Sequence, residues 1–278
     1  MRYFTWTTMV LFVTVASMLF WQYLEARSLQ LHSVVHYKTV GHLPLPASYT
    51  RPAAAPGSFA AWLRARPLKE NNTVYLYNGE KKPNQQAQFA VLDISVGKKD
   101  LQQCADAVIR LYAEYLYETR QYGKIAFHAT DGTLMDYNSW MKGYRFVIKN
   151  GRLQKKLIGA ACQGDACFSE YLQVVFSYAG TLSLSKELKT VDTPGAIQAG
   201  DVFIRGGSPG HAVLVMDVAV NAAGQKTFLL AQSYMPAQDI HILKNPSATQ
   251  QPWYQYKGEK ILNTPEWTFE WNQLMRFP

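Results

Sequence analysis

Hydrophobic and polar residues follow three successive patterns along the chain. Residues 4–24 form an almost unbroken apolar run preceded by Arg2, whereas residues 27–58 are rich in proline, alanine and polar side chains. From residue 59 onward, short apolar segments alternate with turn residues. These patterns predict an N-terminal apolar segment over residues 1–26, a proline- and alanine-rich linker over residues 27–58, and a single globular domain over residues 59–278.

The N-terminal apolar run predicts export of the domain. About 20 apolar residues suffice to cross a bilayer, and Trp21 and Tyr23 lie where aromatic side chains favour the membrane interface. A cleaved signal peptide has a shorter apolar run and a small-residue cleavage site, and the nearest candidate, which ends at Ala26, fits this pattern poorly. We therefore expect one transmembrane helix that anchors a periplasmic domain to the inner membrane. The alternative is a cleaved signal and a secreted domain.

Helical spacing dominates the first half of the domain. Asp100 followed by Gln103 resembles a capping box, which predicts that a helix begins there. One face of this helix carries the apolar positions Leu101, Cys104, Val108, Leu111 and Tyr115. Cys104 then lies in the first turn, where unpaired backbone N–H groups and the helix dipole favour a thiolate.

The C-terminal third changes to strand spacing. Short strands are predicted over residues 201–204, 211–220 and 227–234, and a turn over residues 221–225 joins the last two. A helix-led half followed by an antiparallel β half is typical of the α+β class rather than of an alternating α/β domain.

The predicted hairpin places a polar residue beside His211, which follows the glycine-rich residues 206–210. Because strand side chains alternate, either Gln232 or Ser233 shares the face of His211, and a one-residue bulge exchanges them. We choose Gln232, because its amide oxygen can accept a hydrogen bond from an imidazole N–H. Asp217 lies about 20 Å further along the same strand, too far to orient the ring.

These residues predict cysteine chemistry. A cysteine nucleophile needs a thiolate, a nearby imidazole, and a third polar group that fixes the imidazole tautomer. Cys104 would be the nucleophile, His211 the general base and then acid, and Gln232 the orienting residue. Backbone N–H groups at the start of the Cys104 helix would stabilise the oxyanion. The competing interpretation is that Cys104, on an apolar helix face, is buried and inert.

The order of these residues resembles that of the papain-like cell-wall amidases and peptidases of the NlpC type. Across residues 100–235, Cys104 opens a helix, Gly200-Asp201 leads to His211 on a strand, and Gln232 lies on the next strand. The nucleophile box departs from the Asp-Cys-Ser-Gly-like sequence of that family. The resemblance implies a papain-like fold and hydrolysis of an amide bond in a cell-envelope substrate.

A second resemblance covers nearly everything after the linker. The chain resembles a bacterial family known only as a domain of unknown function, common in secreted proteins of Bacteroidetes and some proteobacteria. The most distinctive matching stretches are residues 178–181, 206–213 and 230–238. This resemblance implies a family without implying an activity.

Two further patterns concern the remaining cysteines and a second nucleophile. Cys162 and Cys167 flank a short polar loop, which predicts a disulfide in an oxidising compartment. Residues 183–186 match the Ser-x-x-Lys pattern of penicillin-recognising enzymes, but the accompanying Lys-Thr-Gly element is missing. A helix cap is the simpler interpretation of Ser183.

Charge and motif content constrain the partners. The formal net charge is +8, from 28 basic and 20 acidic residues, and the basic residues are scattered in small groups. This distribution fits a protein that works beside an anionic surface, such as phospholipid or cell-wall polymer. The simpler interpretation is a soluble protein whose surface happens to be basic. The sequence contains no arginine-rich helix of the kind that binds nucleic acid, so we expect no nucleic-acid partner. It also contains no motif for a metal ion or another cofactor, so we expect neither.

Two functions of different classes are therefore expected. The first is a papain-like cysteine amidase or peptidase that acts on a cell-envelope peptide or glycopeptide, with the inner membrane contacted through the N-terminal helix. The second is a non-catalytic periplasmic binding or structural module that uses the same groove, with Cys104 buried.

Overall fold

The computed structural model describes residues 18, 20–22, 37–248 and 251–278. Tyr37–Pro278 form one compact unit, and the four described residues of the preceding unit are helical and exposed. The predicted membrane segment over residues 4–24 therefore lies almost wholly outside the described residues. Within the described part of the chain, no helix is long and apolar enough to cross a membrane.

Between Tyr37 and Pro278, the described residues contain five α-helices and fifteen strands. The helices are α1 (Phe59–Arg64), α2 (Cys104–Glu118), α3 (Tyr137–Met141), α4 (Gly164–Tyr178) and α5 (Thr181–Glu187). The strands are β1 (Tyr49–Thr50), β2 (Gln88–Val91), β3 (Ala126–His128), β4 (Leu134–Asp136), β5 (Tyr144–Lys149), β6 (Arg152–Leu157), β7 (Lys189–Thr190), β8 (Val202–Arg205), β9 (His211–Asn221), β10 (Lys226–Gln232), β11 (His241–Leu243), β12 (Trp253–Gln255), β13 (Ile261–Asn263), β14 (Thr268–Glu270) and β15 (Leu274–Arg276). Helices combine with antiparallel strand pairs, so the predicted α+β class is confirmed.

A sheet of nine described strands carries the domain. Its strand order is β2-β11-β10-β9-β8-β15-β7, with β1 added to β9 and β12 added to β10. All of its described pairs are antiparallel. The eleven-residue strand β9 lies at the centre and is buried over its first nine residues. The three strands predicted in the C-terminal third are therefore adjacent.

Both faces of this sheet are covered, and the sequence of β9 reflects this. Ala212 and Leu214 belong to the core cluster that contains the apolar face of α2. Val213 and Val215 belong to a second cluster with aromatic residues of the C-terminal strands, including Phe269. Successive strand residues point to opposite faces, so a strand that is covered on both sides carries apolar residues on both faces, as residues 212–216 do.

The start of α2 differs in detail from the sequence prediction. The helix begins at Cys104, and Gln103 rather than Asp100 is its N-cap, with the Gln103 N–H donating to Asp106 Oδ2 at 3.0 Å. Asp100 Oδ1 instead accepts hydrogen bonds from Gln103 Nε2 and from the Ala237 N–H, at 3.1 and 2.7 Å. Asp100 thus ties the approach to α2 to the segment after β10, and Cys104 becomes the first helical residue.

Residues 37–58 also differ from the expected linker, because they pack onto the domain. Val40 and Leu43 are buried, and β1 pairs with the end of β9. Arg51 forms an ion pair with the buried Asp217 at 2.6 Å. Burial of apolar side chains and this ion pair hold a segment whose proline content predicts extended chain. Residues 27–36 lie outside the described residues.

The predicted disulfide is confirmed. Cys162 and Cys167 are joined, with their Cα atoms 5.6 Å apart. The bond closes the loop at the start of α4, and Cys104 is left as the free thiol among the three cysteines of the chain, all of which are described.

Candidate active site

A bulge in the β9–β10 hairpin decides which residue faces His211. The register between the two strands shifts between Leu229 and Leu230, so that Leu230 pairs with Val215. Directly opposed residues share a face and side chains alternate, so the shift places Gln232 on the face of His211. Without this shift, Ser233 would lie on the face of His211 instead.

A hydrogen bond joins the two buried side chains. His211 Nε2 lies 2.8 Å from Gln232 Oε1, and both residues are about 1 % exposed. An amide oxygen only accepts hydrogen bonds, so Nε2 carries the proton and Nδ1 is the unprotonated nitrogen of the neutral ring. Ser233, the alternative from the sequence, lies instead 2.8 Å from the carbonyl oxygen of Gln102.

Cys104 meets the beginning of β9 at the first turn of α2. The backbone N–H of Ala212, the residue after His211, is close enough to lower the pKa of the Cys104 thiol, as are the N–H groups of its own helix start. Burial outweighs these effects and raises the pKa, and the carboxyl group of Asp106 adds to the increase. The side chain is thus a neutral thiol at neutral pH. In the described structure, no hydrogen bond links this thiol directly to the His211 ring.

Aromatic rings enclose His211. The ring centroids of Tyr234, Trp267 and Phe269 lie 4.8, 5.2 and 5.9 Å from that of the imidazole. Burial is the main cause that lowers the pKa of His211 to about 4, and the Lys82 charge also lowers it, against opposing effects of Gln232 and Glu266. His211 is therefore a neutral imidazole at neutral pH.

Tyr234 follows β10 and lies beside His211. Its pKa is raised chiefly by burial, and further by the negative charges that Glu266 and Cys104 carry when they are ionised. Its ring also packs on His211. Tyr234 itself is only partly buried, whereas His211 is fully buried.

Behind Gln232 lies a charged group that sequence reasoning missed. Gln232 Nε2 donates to Glu266 Oε2 at 2.8 Å, and Lys82 Nζ pairs with the same carboxylate oxygen at 2.5 Å. Asn84 Nδ2 donates to the other oxygen at 3.0 Å. These residues come from distant parts of the chain, and no local spacing connects them.

The surface next to His211 offers a cation. Arg205 is the direct partner of His211 across β8 and β9, is exposed, and has no ion pair among the described residues. It lines a shallow depression of about 500 Å³ together with residues 264–268, which include Glu266 and Trp267. A larger groove of about 810 Å³ has one wall at Leu101 and Gln102, directly before the Cys104 helix.

The structure separates the other sequence candidates from this site. Asp217 lies further along β9, where it pairs with two arginines. Ser183 is buried in the first turn of α5, where its Oγ accepts the Gly180 N–H at 3.1 Å, while Lys186 is exposed. Ser183 is therefore a helix-capping residue. Among the described residues, no group of three or more His, Cys, Asp or Glu side chains could hold a metal ion.

Comparison with known proteins assigns the family. Residues 41–276 match the family described as domain of unknown function 4846 (DUF4846), and the chain therefore belongs to this family. The match includes Cys104, His211, Gln232 and Glu266. Neither the curated proteins nor the solved structures gave a match.

Proposed function

We propose that this DUF4846 domain is a papain-like cysteine hydrolase that cleaves an amide bond in a cell-envelope peptide or glycopeptide. The proposal rests on the hydrogen bond between His211 Nε2 and Gln232 Oε1, 2.8 Å long, beside a cysteine that opens a helix. In a cysteine hydrolase a polar side chain holds one imidazole nitrogen, so that the other can take the thiol proton.

The directions of the two pKa shifts define how such a site would work. The pKa of the Cys104 thiol is raised and that of His211 is lowered to about 4, so the resting pair is neutral thiol and neutral imidazole. A preformed thiolate–imidazolium pair would require the pKa of the thiol to lie below that of the imidazole. His211 therefore acts as a general base at the moment of attack.

The proposed reaction proceeds through a thioester. As Cys104 Sγ attacks the amide carbonyl carbon, the thiol proton moves to His211 Nδ1 and a tetrahedral oxyanion forms. The oxyanion collapses, the C–N bond breaks, and the imidazolium gives its proton to the leaving amine. Water, deprotonated by His211, then attacks the thioester, and the acid product leaves as Cys104 regains its proton.

Oxyanion stabilisation is assigned to the first turn of α2. The backbone N–H groups of Cys104 and Ala105 lie before the first intrahelical hydrogen bonds, and the helix dipole favours negative charge there. Donors held in place before the reaction stabilise the developing charge without reorganisation. The fifteen-residue length of α2 and its burial against β9 hold these donors rigidly.

Arg205 supports a substrate with a carboxylate near the scissile bond. It is exposed directly opposite His211 and lines the same depression as Trp267, so a peptide carboxylate could pair with it while the peptide rests on the indole. Guanidinium groups bind carboxylates in a bidentate fork. A periplasmic location, with the N-terminal segment as the membrane anchor, is part of this proposal.

The burial of the site favours one alternative, a non-catalytic binding module. Cys104 is 6 % exposed and His211 1 % exposed, and aromatic rings cover the imidazole. Under this alternative the hydrogen-bonded pair is a core polar contact, and the nearby groove binds a peptide or another protein. Catalysis, by contrast, requires Tyr234 or the residues around Trp267 to move when substrate enters.

Hydrolysis in ¹⁸O-labelled water separates these two functions. The purified full chain is incubated with a mixture of cell-wall peptides, and mass spectrometry detects a new carboxylate that contains ¹⁸O. We expect such products from the natural chain and from the Ser183→Ala control, and none from Cys104→Ala or His211→Gln. Equal turnover by Cys104→Ala would refute the mechanism. Absence of products from every chain, across cell-wall peptides and glycopeptides, would favour the binding module.

A further inference from the structure

We infer that Glu266, supported by Lys82 and His241, is a positioning residue that holds the Gln232 amide in one orientation and thereby sets the tautomer of His211. The importance of this for catalysis rests on the function proposed above. The tautomer itself is a property of the folded chain and can be measured without a substrate.

The argument begins with the two ends of the Gln232 amide. Its oxygen faces His211 Nε2 at 2.8 Å, and its nitrogen lies 2.8 Å from Glu266 Oε2. A carboxylate accepts hydrogen bonds and cannot donate them, so the amide end next to Glu266 must be the NH₂ group. The oxygen is therefore directed to His211.

His241 occupies the second position next to the amide nitrogen. Its Nδ1 lies 2.9 Å from the carbonyl oxygen of Asp239, so Nδ1 carries the proton and Nε2 presents a lone pair. That lone pair faces Gln232 Nε2 at 3.5 Å. Rotation of the amide by half a turn would place its oxygen against a carboxylate and a second lone pair. Two acceptors thus oppose the reversed orientation.

Glu266 is itself held in place. Lys82 and Asn84 bind its two oxygens at 2.5 and 3.0 Å, and the Lys82 side chain is only 5 % exposed. A buried charge without a partner would be strongly destabilising, so the lysine is what allows a carboxylate behind Gln232. Lys82 is therefore linked to the His211 ring by a chain of hydrogen bonds through Glu266 and Gln232.

The consequence for His211 is a single neutral tautomer. Nε2 donates to Gln232, and the lone pair of Nδ1 remains available for the thiol proton. In a Ser-His-Asp triad, loss of the correct tautomer lowers turnover by about 10⁴-fold. Glu266 acts one residue further away, so we expect a loss of about 10- to 100-fold, the range seen for outer-shell partners.

Nitrogen NMR of the full chain, labelled with ¹⁵N-histidine, tests this inference directly. Long-range ¹H–¹⁵N correlations identify which ring nitrogen carries the proton, and His211→Gln assigns the signals. We expect the Nε2–H tautomer in the natural chain and a mixture of tautomers in Glu266→Gln, because an amide at this position can either donate or accept. The matched control is Glu270→Gln, at an exposed glutamate on the same β-hairpin.

A second variant keeps the test usable if Glu266→Gln fails to fold. Lys82→Gln combined with Glu266→Gln removes both charges and leaves no unpaired ion, and we expect the same mixture of tautomers. An Nδ1–H tautomer in the natural chain, or an unchanged tautomer in both variants, would overturn the inference. If the natural chain hydrolyses no substrate but its tautomer still depends on Glu266, the proposed function fails while the positioning role stands.

Discussion

The two buried polar clusters on β9 are built in different ways. Further along the strand, Asp217 places one carboxylate oxygen 2.6 Å from Arg51 Nε and the other 2.6 Å from Arg64 Nε. At the start of the strand, a neutral amide binds one nitrogen of His211, and the described residues provide no hydrogen bond to the other. The first cluster pairs opposite charges at both oxygens, whereas the second leaves His211 Nδ1 without a hydrogen bond among the described residues.

Under the proposed function, this difference separates a structural role for Asp217 from a chemical role for His211. Both oxygens of the buried Asp217 are bound by guanidinium groups, and Oδ1 also accepts the Val218 N–H at 2.9 Å, so this carboxylate has its partners within the fold. His211 retains a free acceptor, a neutral protonation state, and a cysteine at the adjacent helix start. Four predictions test whether the two clusters differ in this way.

The largest effect on stability is expected at Asp217. Asp217→Ala leaves two arginine side chains without their buried partner, so the free energy of unfolding should fall by about 3–5 kcal/mol. Chemical denaturation of the full chain measures this change. The exposed Asp192→Ala serves as the control and should change stability by less than about 0.5 kcal/mol. A loss at Asp217 no larger than that of the control would remove the structural half of the comparison.

Acid should destabilise the fold through His211. Burial lowers its pKa to about 4 from an ordinary value of 6.5, so the unfolded chain binds a proton at pH values at which the folded chain does not. Stability is therefore full above pH 6.5 and declines as the pH falls toward 4, by about 3 kcal/mol for this residue. Unfolding curves across this range should show the decline weakened in His211→Gln and retained in His128→Gln. A decline unchanged in His211→Gln would contradict the neutral-base assignment.

A smaller effect on stability, but a specific one, is expected at Gln232. Gln232→Ala leaves the buried His211 Nε2 without its hydrogen-bond partner and removes one of the hydrogen bonds to Glu266, which should cost about 1–3 kcal/mol in unfolding free energy. It should also abolish the single tautomer of His211. Ser233→Ala, on the other face of the strand, should cost a comparable amount and leave the tautomer unchanged in the NMR spectrum. Equal tautomer effects of the two variants would contradict the assigned register.

The smallest effect on stability is expected at Arg205. This side chain is exposed and has no ion pair in the described structure, so Arg205→Gln should change the free energy of unfolding by less than about 0.5 kcal/mol. With a carboxylate-bearing peptide substrate, the same variant should raise KM, while a neutral analogue should be unaffected. Equal effects on both substrates would exclude a carboxylate subsite at this position.

Sequence reasoning anticipated most of the contacts of this candidate site, and the contacts that it missed have physical causes. Cys104, His211 and the strand that carries Gln232 followed from local helix and strand spacing. The choice between Gln232 and Ser233 depended on a bulge that alternation alone cannot locate. Asp100 had the spacing of a capping residue, but the Ala237 backbone, distant in sequence, competes for its oxygen. Glu266 was missed because only the folded chain brings residues 82, 232 and 266 together.

Alkylation of Cys104 in the native full chain tests the central claim most directly. Because Cys162 and Cys167 form a disulfide, the intact mass after iodoacetamide treatment reports this thiol alone. We predict labelling of the folded chain at a rate that increases with pH above neutrality, because the thiol pKa is raised, and that falls about 100-fold in His211→Gln, within the range of general-base assistance. Labelling only after denaturation, or an equal rate in His211→Gln, would contradict the assignment of Cys104 and His211 as a catalytic pair.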